Sequence, residues 1–313
     1  MSYQSEYSGA QVDEAVGKAL NPDAAPTEGS TNLVQSGGVA SAISAVQDTV
    51  SRRNLLDNAY FVGGGSQQGG GQFPINQRGN TSYSGSGGGY LIDRWKRINL
   101  INCSLQSDCL QITETNWGLR QVVGLPPGKY TFSMLARKLT YPSGGSMGFN
   151  SYHDIGSGWE ILGNDWGLYT ETVVATNDLT NANLQFNANR GSYSIEILAM
   201  KLELGSTQTL AHQENGVWVL NDIPNFAEEL AKCQRYFYRY NGLTSAYTMP
   251  GTTVSSITIP FPCTMRGVPA ISNITYHDSK VAEGYGAYVS GARFYNSSNV
   301  GFSVTGFDVS ADL

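Results

Sequence analysis

Between residues 54 and 211 apolar and polar side chains alternate in short runs, and turn-forming residues separate the runs. Tyr130, Phe132 and Met134 alternate with Thr131 and Ser133. Leu184, Phe186 and Ala188 alternate with Asn183, Gln185 and Asn187, and Leu198, Met200, Leu202 and Leu204 with Ala199, Lys201 and Glu203. A period of two places each set on one face of an extended strand. Pro-Gly, Gly-Gly and Asn-Arg-Gly sequences lie between the runs, where the chain must reverse. No helix-length pattern interrupts the series. Antiparallel strands repeated in this way pack into two layers. Composition agrees: 14% charged residues and 37 glycines in 313 suit strands with long polar loops better than a helical enzyme.

The series opens at Asn54–Trp95. Leu55, Leu56, Tyr60 and Phe61 can pin a first strand, and a glycine-rich loop follows. Asp93, Arg94 and Trp95 close the stretch. A carboxylate beside an arginine and an aromatic reads as a structural corner, with ligand contact as the alternative.

The flanking segments divide the chain into 1–25, 26–53, 54–211, 212–242 and 243–313. Ser8 and Gln11 form a capping box for a short helix with a stripe of Val12, Ala15, Val16, Ala19 and Leu20, stopped by Pro22 and Pro26. A helix this short needs a partner surface. Val39, Ile43, Val46 and Val50 follow at heptad spacing; β-branched residues at both seam positions favour trimers. The alternative is one amphipathic helix packed on its own sheets. Asn225 caps a third helix, in which Phe226, Leu230, Cys233, Phe237 and Tyr240 share a face. A threefold bundle is expected there, or else a helix lying flat on its own chain. Residues 243–313 alternate again, with Val254, Ile259, Phe261, Val268, Ile271, Phe294, Phe302, Val304, Phe307 and Val309 among the expected core, and form a smaller β module.

Asn54–Phe61, Ile75–Gly79, Thr81–Gly85 and Asp93–Trp95 resemble the opening of the jelly-roll module of bacteriophage tail-fibre and receptor-binding proteins, which is similar to carbohydrate-binding modules of glycoside hydrolases. The likeness continues through Pro127–Ser133, Ile195–Ile197, Lys201–Gly205 and Thr209, about half the chain. Thr27–Val39 resembles a segment that precedes a trimeric helix in fibre proteins of gut-bacterial phages and prophages. The resemblance implies a mainly β fold: a jelly-roll β-sandwich plus a smaller C-terminal β-sandwich, with short helices in a trimeric bundle or coiled coil. It implies a virion appendage made in the host cytoplasm, homotrimeric, held to other virion proteins by its N-terminus and touching host cell-surface glycan. A head or baseplate fibre would read the same way. A carbohydrate-binding module of a bacterial surface protein and a glycan depolymerase are the alternatives.

Nothing in the sequence assembles a catalytic group. His153, His212 and His277 stand outside nucleophile and paired-histidine motifs, and acidic pairs such as Glu160/Asp165 and Asp308/Asp312 have no fixed separation. No catalytic residue, cofactor or metal is expected. A net charge of −6 without a basic run argues against nucleic acid, and no apolar run is long enough to insert in a membrane. Cys103 and Cys109 could meet across a hairpin, though cytosolic assembly favours free thiols. Sugar binding needs exposed aromatic faces beside hydrogen-bonding groups. Trp117, Tyr141, Tyr152, Trp159 and Trp166 are candidates in the larger module, and Tyr285, Tyr288, Arg293 and Tyr295 in the smaller; the competing fate of the tryptophans is the core.

Overall fold

The structure is a computed structural model. It describes the chain apart from residues 1–7, 25, 28–29, 31, 36, 40–51, 64–72, 86–87, 100–101, 116–117, 188, 190, 247–253, 278, 299 and 313. Residues 1–52 and 53–313 form two compact units.

In the first unit α1 (Gly9–Leu20) starts where the capping box places it. The Ser8 hydroxyl accepts the Gln11 N–H at 3.3 Å and the Gln11 side chain accepts the Ser8 N–H at 2.9 Å. Lys18 and Glu14 pair at 2.9 Å, one turn apart. None of the helix is buried: Val12, Val16 and Leu20 are all exposed. Val39 is exposed too, while Ile43, Val46 and Val50 lie outside the described residues.

The second unit is mainly β. In chain order it contains β1 (Ser82–Tyr83), β2 (Tyr90–Ile92), β3 (Trp95–Ile98), β4 (Asn102–Leu105), β5 (Leu110–Thr115), β6 (Gly118–Leu125), β7 (Gly128–Thr140), β8 (Ser146–Phe149), β9 (His153–Asp154), β10 (Gly167–Ala175), β11 (Leu179–Phe186) and β12 (Tyr193–Leu204). There follow β13 (Ala211–Glu214), β14 (Val217–Leu220), α2 (Phe226–Gln234), β15 (Phe237–Ala246), β16 (Ser255–Pro260), β17 (Ala270–Tyr276), β18 (Gly284–Tyr288), β19 (Gly291–Asn296) and β20 (Phe302–Ser310).

Two six-stranded antiparallel sheets, ordered β1-β4-β5-β12-β7-β10 and β2-β3-β6-β11-β8-β9, share one apolar core. Phe132 of β7 stacks on Phe149 of β8 across it, centroids 4.4 Å apart. The alternation seen in the sequence holds in β11, where Ala182, Leu184 and Phe186 point inward. In β12 a bulge between Ile197 and Ala199 flips the phase, so Ile195 and Ile197 share the core with Met200 and Leu202, while Leu204 is exposed.

The other face of β7 and β12 is buried as well. Thr131, Ser133, Lys201 and Glu203 are no more than 1% exposed. A second apolar layer of Tyr60, Phe73, Ile75, Leu210 and Cys233 covers Leu135 and Ala199. Three of these four are paired, as burial demands, and among the described residues the Ser133 hydroxyl is left without a partner. Lys201 Nζ donates to the Thr209 carbonyl and hydroxyl at 3.1 and 2.9 Å, and the Thr209 N–H and O–H donate to Glu203, each at 2.6 Å.

The third helix departs from expectation. It ends at Gln234, and Phe237 begins β15, which pairs with β20. Cys233 is fully buried and Phe237 is 4% exposed within their own chain, and Phe226 and Leu230 pack on the same apolar layer. The seam reading is therefore corrected for Cys233 and Phe237, which one subunit already buries, while Phe226 and Leu230 are partly buried and α2 lies on its own sheets.

Beyond α2, sheets β15-β20-β17 and β16-β19-β18 enclose a separate core, with Phe294 and Phe307 5.1 Å apart at its centre. Val254 and Val268, expected inside, are exposed at 41% and 72%. All four cysteines are free thiols; Cys103 sits opposite Ile112, not Cys109.

Candidate functional site

β9 and β10 are the edge strands of the two large sheets, and a cleft of about 380 Å³ opens against both. Trp159 and the short 3₁₀ turn Glu160–Leu162 cover one side of it. Gly167 lets the turn close: a Cβ there would lie 2.4 Å from the Glu160 carbonyl carbon. The Trp159 and Tyr169 rings meet at 5.1 Å and 35°, giving the cleft an aromatic wall. Trp159 is only partly buried, so its ring is shared between core and cleft.

Glu171 supplies the polar side. Its carboxylate, 8% exposed, accepts the Phe149 N–H at 2.9 Å, the Ser151 hydroxyl at 3.2 Å and the Tyr169 hydroxyl, with His153 Nε2 at 3.4 Å. Burial and this carboxylate push the Tyr169 hydroxyl pKa far up, so it remains a donor. Glu160 accepts the Trp218 indole N–H at 2.9 Å, tying the β13–β14 hairpin to the cleft. Ser151 and Glu171 both approach the same nitrogen of His153. A nucleophile relay needs the hydroxyl and the carboxylate on opposite ring nitrogens. What the arrangement offers is a ring for stacking beside fixed carboxylate, hydroxyl and imidazole groups.

A second face lies on β18 and β19. The Tyr295 ring crosses Gly284, where a Cβ would come 2.6 Å from its hydroxyl, and Tyr288 lies over Gly286. Tyr288 and Tyr295 are 54% and 39% exposed, and Arg293 stands between them in register, donating to the Ser256 hydroxyl at 3.4 Å. Tyr285 points the other way: it packs 6.1 Å from Phe294 and its hydroxyl donates to the Ile271 carbonyl.

Of the larger module's candidates among the described residues, only Trp159 lines the cleft. Trp166 stacks against Arg137 at 4.1 Å and packs on the second apolar layer. Tyr141 and Tyr152 are exposed on loops outside the cleft lining, and Trp117 lies outside the described residues. Tyr169 belongs to the aromatic-rich segment Tyr141–Tyr169 that the sequence offers for sugar contact, whereas His153 reads there as a surface or packing histidine and Glu171 carries no expectation. The alternation of Tyr169 and Glu171 along an edge strand was the available signal.

Asp93, Arg94 and Trp95 form a buried junction. Trp95 Nε1 donates to the Asn58 carbonyl at 2.9 Å, and Arg94 Nε to Asp57 at 3.0 Å. Asp93 accepts the Gln77 N–H at 2.8 Å, while Gln77 Nε2 donates to the Phe237 carbonyl at 2.9 Å. Arg78 pairs with Asp93 and Asp312 between the rings of Tyr90 and Phe237, 4.4 and 3.9 Å away. Arg239 donates to both Asp308 and the Arg78 carbonyl. These contacts bind the large sheets to the smaller β module. They also occupy Asp308 and Asp312, one of the acidic pairs considered for chemistry.

Among the described residues no three His, Cys, Asp or Glu side chains form a metal cluster, and no helix is long and apolar enough to cross a membrane. No family model, curated protein or solved structure matches this chain.

Proposed function

We propose that this chain is a non-enzymatic subunit of a bacteriophage appendage fibre that adheres to host-surface glycan. In this reading residues 54–211 are a jelly roll of the carbohydrate-binding-module type, the virion is its location, and the first 52 residues hold three copies together and to other virion proteins. The observation that carries the adhesive role is the cleft at the meeting edges of the two large sheets. There an indole ring and a phenol ring stand beside a buried carboxylate with its donors already fixed. Sugar rings have apolar faces that stack on aromatics, and their hydroxyls need pre-placed polar partners. The unburied apolar stripe of α1 supports attachment through the N-terminus.

The test is a bacterial-surface glycan array probed with the full chain, followed by titration of each hit. Trp159→Ala should lower affinity about ten-fold or more, since loss of a stacking surface is worth more than ~1.4 kcal/mol. Because the ring also packs on the core, the melting temperature should fall, while strand circular dichroism and cooperative melting are retained. Absence of any hit, or wild-type affinity in the variant, would refute the reading.

A further inference from the structure

Arginines gather at the C-terminal end of β6. A recess of about 370 Å³ lies between that strand and the chain just after α2, within the size range of small-ligand clefts. Leu55, Val122 and Leu125 give it an apolar wall. Three arginines line it, Arg94, Arg235 and Arg266, against one acidic residue, Asp57.

Arg94 is committed. It donates to Asp57 at 3.0 Å and to the Val122 carbonyl at 2.8 Å, and the two opposite charges offset each other. Arg235 and Arg266 are exposed, and among the described residues neither makes an ion pair. Their backbones are tied together, the Arg266 N–H donating to the Arg235 carbonyl at 2.9 Å. The Tyr236 ring holds Arg94 at 3.5 Å and Arg266 at 5.0 Å. Two like charges thus stand on backbone-linked residues beside the recess, in a chain whose net charge is −6. A planar fork of donors suits carboxylate and phosphate oxygens equally.

We propose that this recess binds an acidic sugar: its carboxylate or phosphate between Arg235 and Arg266, its ring against Leu55, Val122 and Leu125. The site is separate from the Trp159 cleft and stands or falls independently of it.

The experiment is calorimetric titration of the full chain with glucuronic acid, glucose 6-phosphate and glucose. At least one acidic sugar should bind and glucose should not, with affinity falling as salt is raised. Binding of glucuronic acid alone marks a carboxylate ligand, of glucose 6-phosphate alone a phosphate ligand, and of both a site that reads charge. Arg235→Gln with Arg266→Gln should lose ten-fold or more; Trp159→Ala should lose nothing. Gly124→Glu is the second arm: a Cβ at Gly124 meets nothing within 4 Å, so the variant folds and places a competing carboxylate in the recess. It too should abolish binding. The proposal is overturned if neither acidic sugar binds, if glucose binds as well, or if the Gly124→Glu variant binds like wild type.

Discussion

Arg78 holds two buried carboxylates, Asp93 and Asp312, while its planar head lies between two rings. At pH 8, above the raised pKa of Asp93, Arg78→Ala would leave both carboxylates without their cation. Removing one partner of a buried pair costs about 3–5 kcal/mol, which a drop in urea midpoint would register. A loss under 1 kcal/mol would mean water reaches the junction. Asp93 itself carries a pH signature. Burial raises its pKa from the usual 3.8 to about 7, against the opposing pull of Gln77 and Arg78. Between those values the folded protein keeps a proton that the unfolded chain has released. Its contribution is therefore complete below 3.8 and lost as pH rises to about 7. Asp308, drawn down by Arg239 and Asn273 despite burial, acts oppositely, and its contribution disappears only in acid. His212, raised by Asn221 and Glu214, contributes in the same direction as Asp93, so the variant must isolate the carboxylate. Asp93→Asn should be less stable overall, yet show a shallower decline in midpoint from pH 5 to pH 8; an unchanged slope would remove Asp93 as its source. The sequence marked Asp93–Trp95 as a corner, and that reading holds. It could not reveal the partners, because Asp312 and Phe237 lie 234 and 160 positions from the residues that grip them.

Among the elements, α2 and β15 mark where periodicity was ambiguous. Tyr236, Phe237, Tyr238 and Tyr240 are aromatic at nearly every position, so the run satisfies a helical stripe and a strand equally. Aromatic residues favour strands, and pairing with β20 decided the outcome. The β13–β14 hairpin was legible but passed over as a connector. Asn215-Gly216 lies between alternating runs, and both residues adopt positive φ, 52° and 81°. Gly216→Val should cost about 1–2 kcal/mol by forcing a side chain into left-handed backbone. Gly216→Asn should cost clearly less, since asparagine tolerates that region. Because Trp218 reaches Glu160, the valine variant should also weaken glycan binding at the cleft. Equal melting temperatures for the two variants would show that the turn does not set the hairpin.

At the scale of the whole molecule, strand alternation located the two large sheets because one face of each meets the shared core. It did not reveal the second layer over β7 and β12. A face lined by Thr131, Ser133, Lys201 and Glu203 reads as solvent-facing, and only the folded segments carrying Tyr60, Thr209 and Cys233 pair or cover it. That layer has a consequence for assembly. It consumes Cys233 and Phe237 and part of the surface of Phe226 and Leu230, so these side chains are already packed within residues 53–313. Among the described residues of the first unit, Val12, Val16, Leu20, Leu33 and Val39 are the large apolar side chains left exposed. If three copies associate, the first 52 residues hold them. Analytical ultracentrifugation of the full chain at micromolar concentration should give three times the chain mass. A fragment of residues 53–313 should keep its strand circular dichroism and cooperative melting, yet sediment as a monomer. A monomeric full chain would refute the trimer. A trimeric fragment would relocate the contact to the β body, where the exposed edges of the smaller sheets become the surface to test.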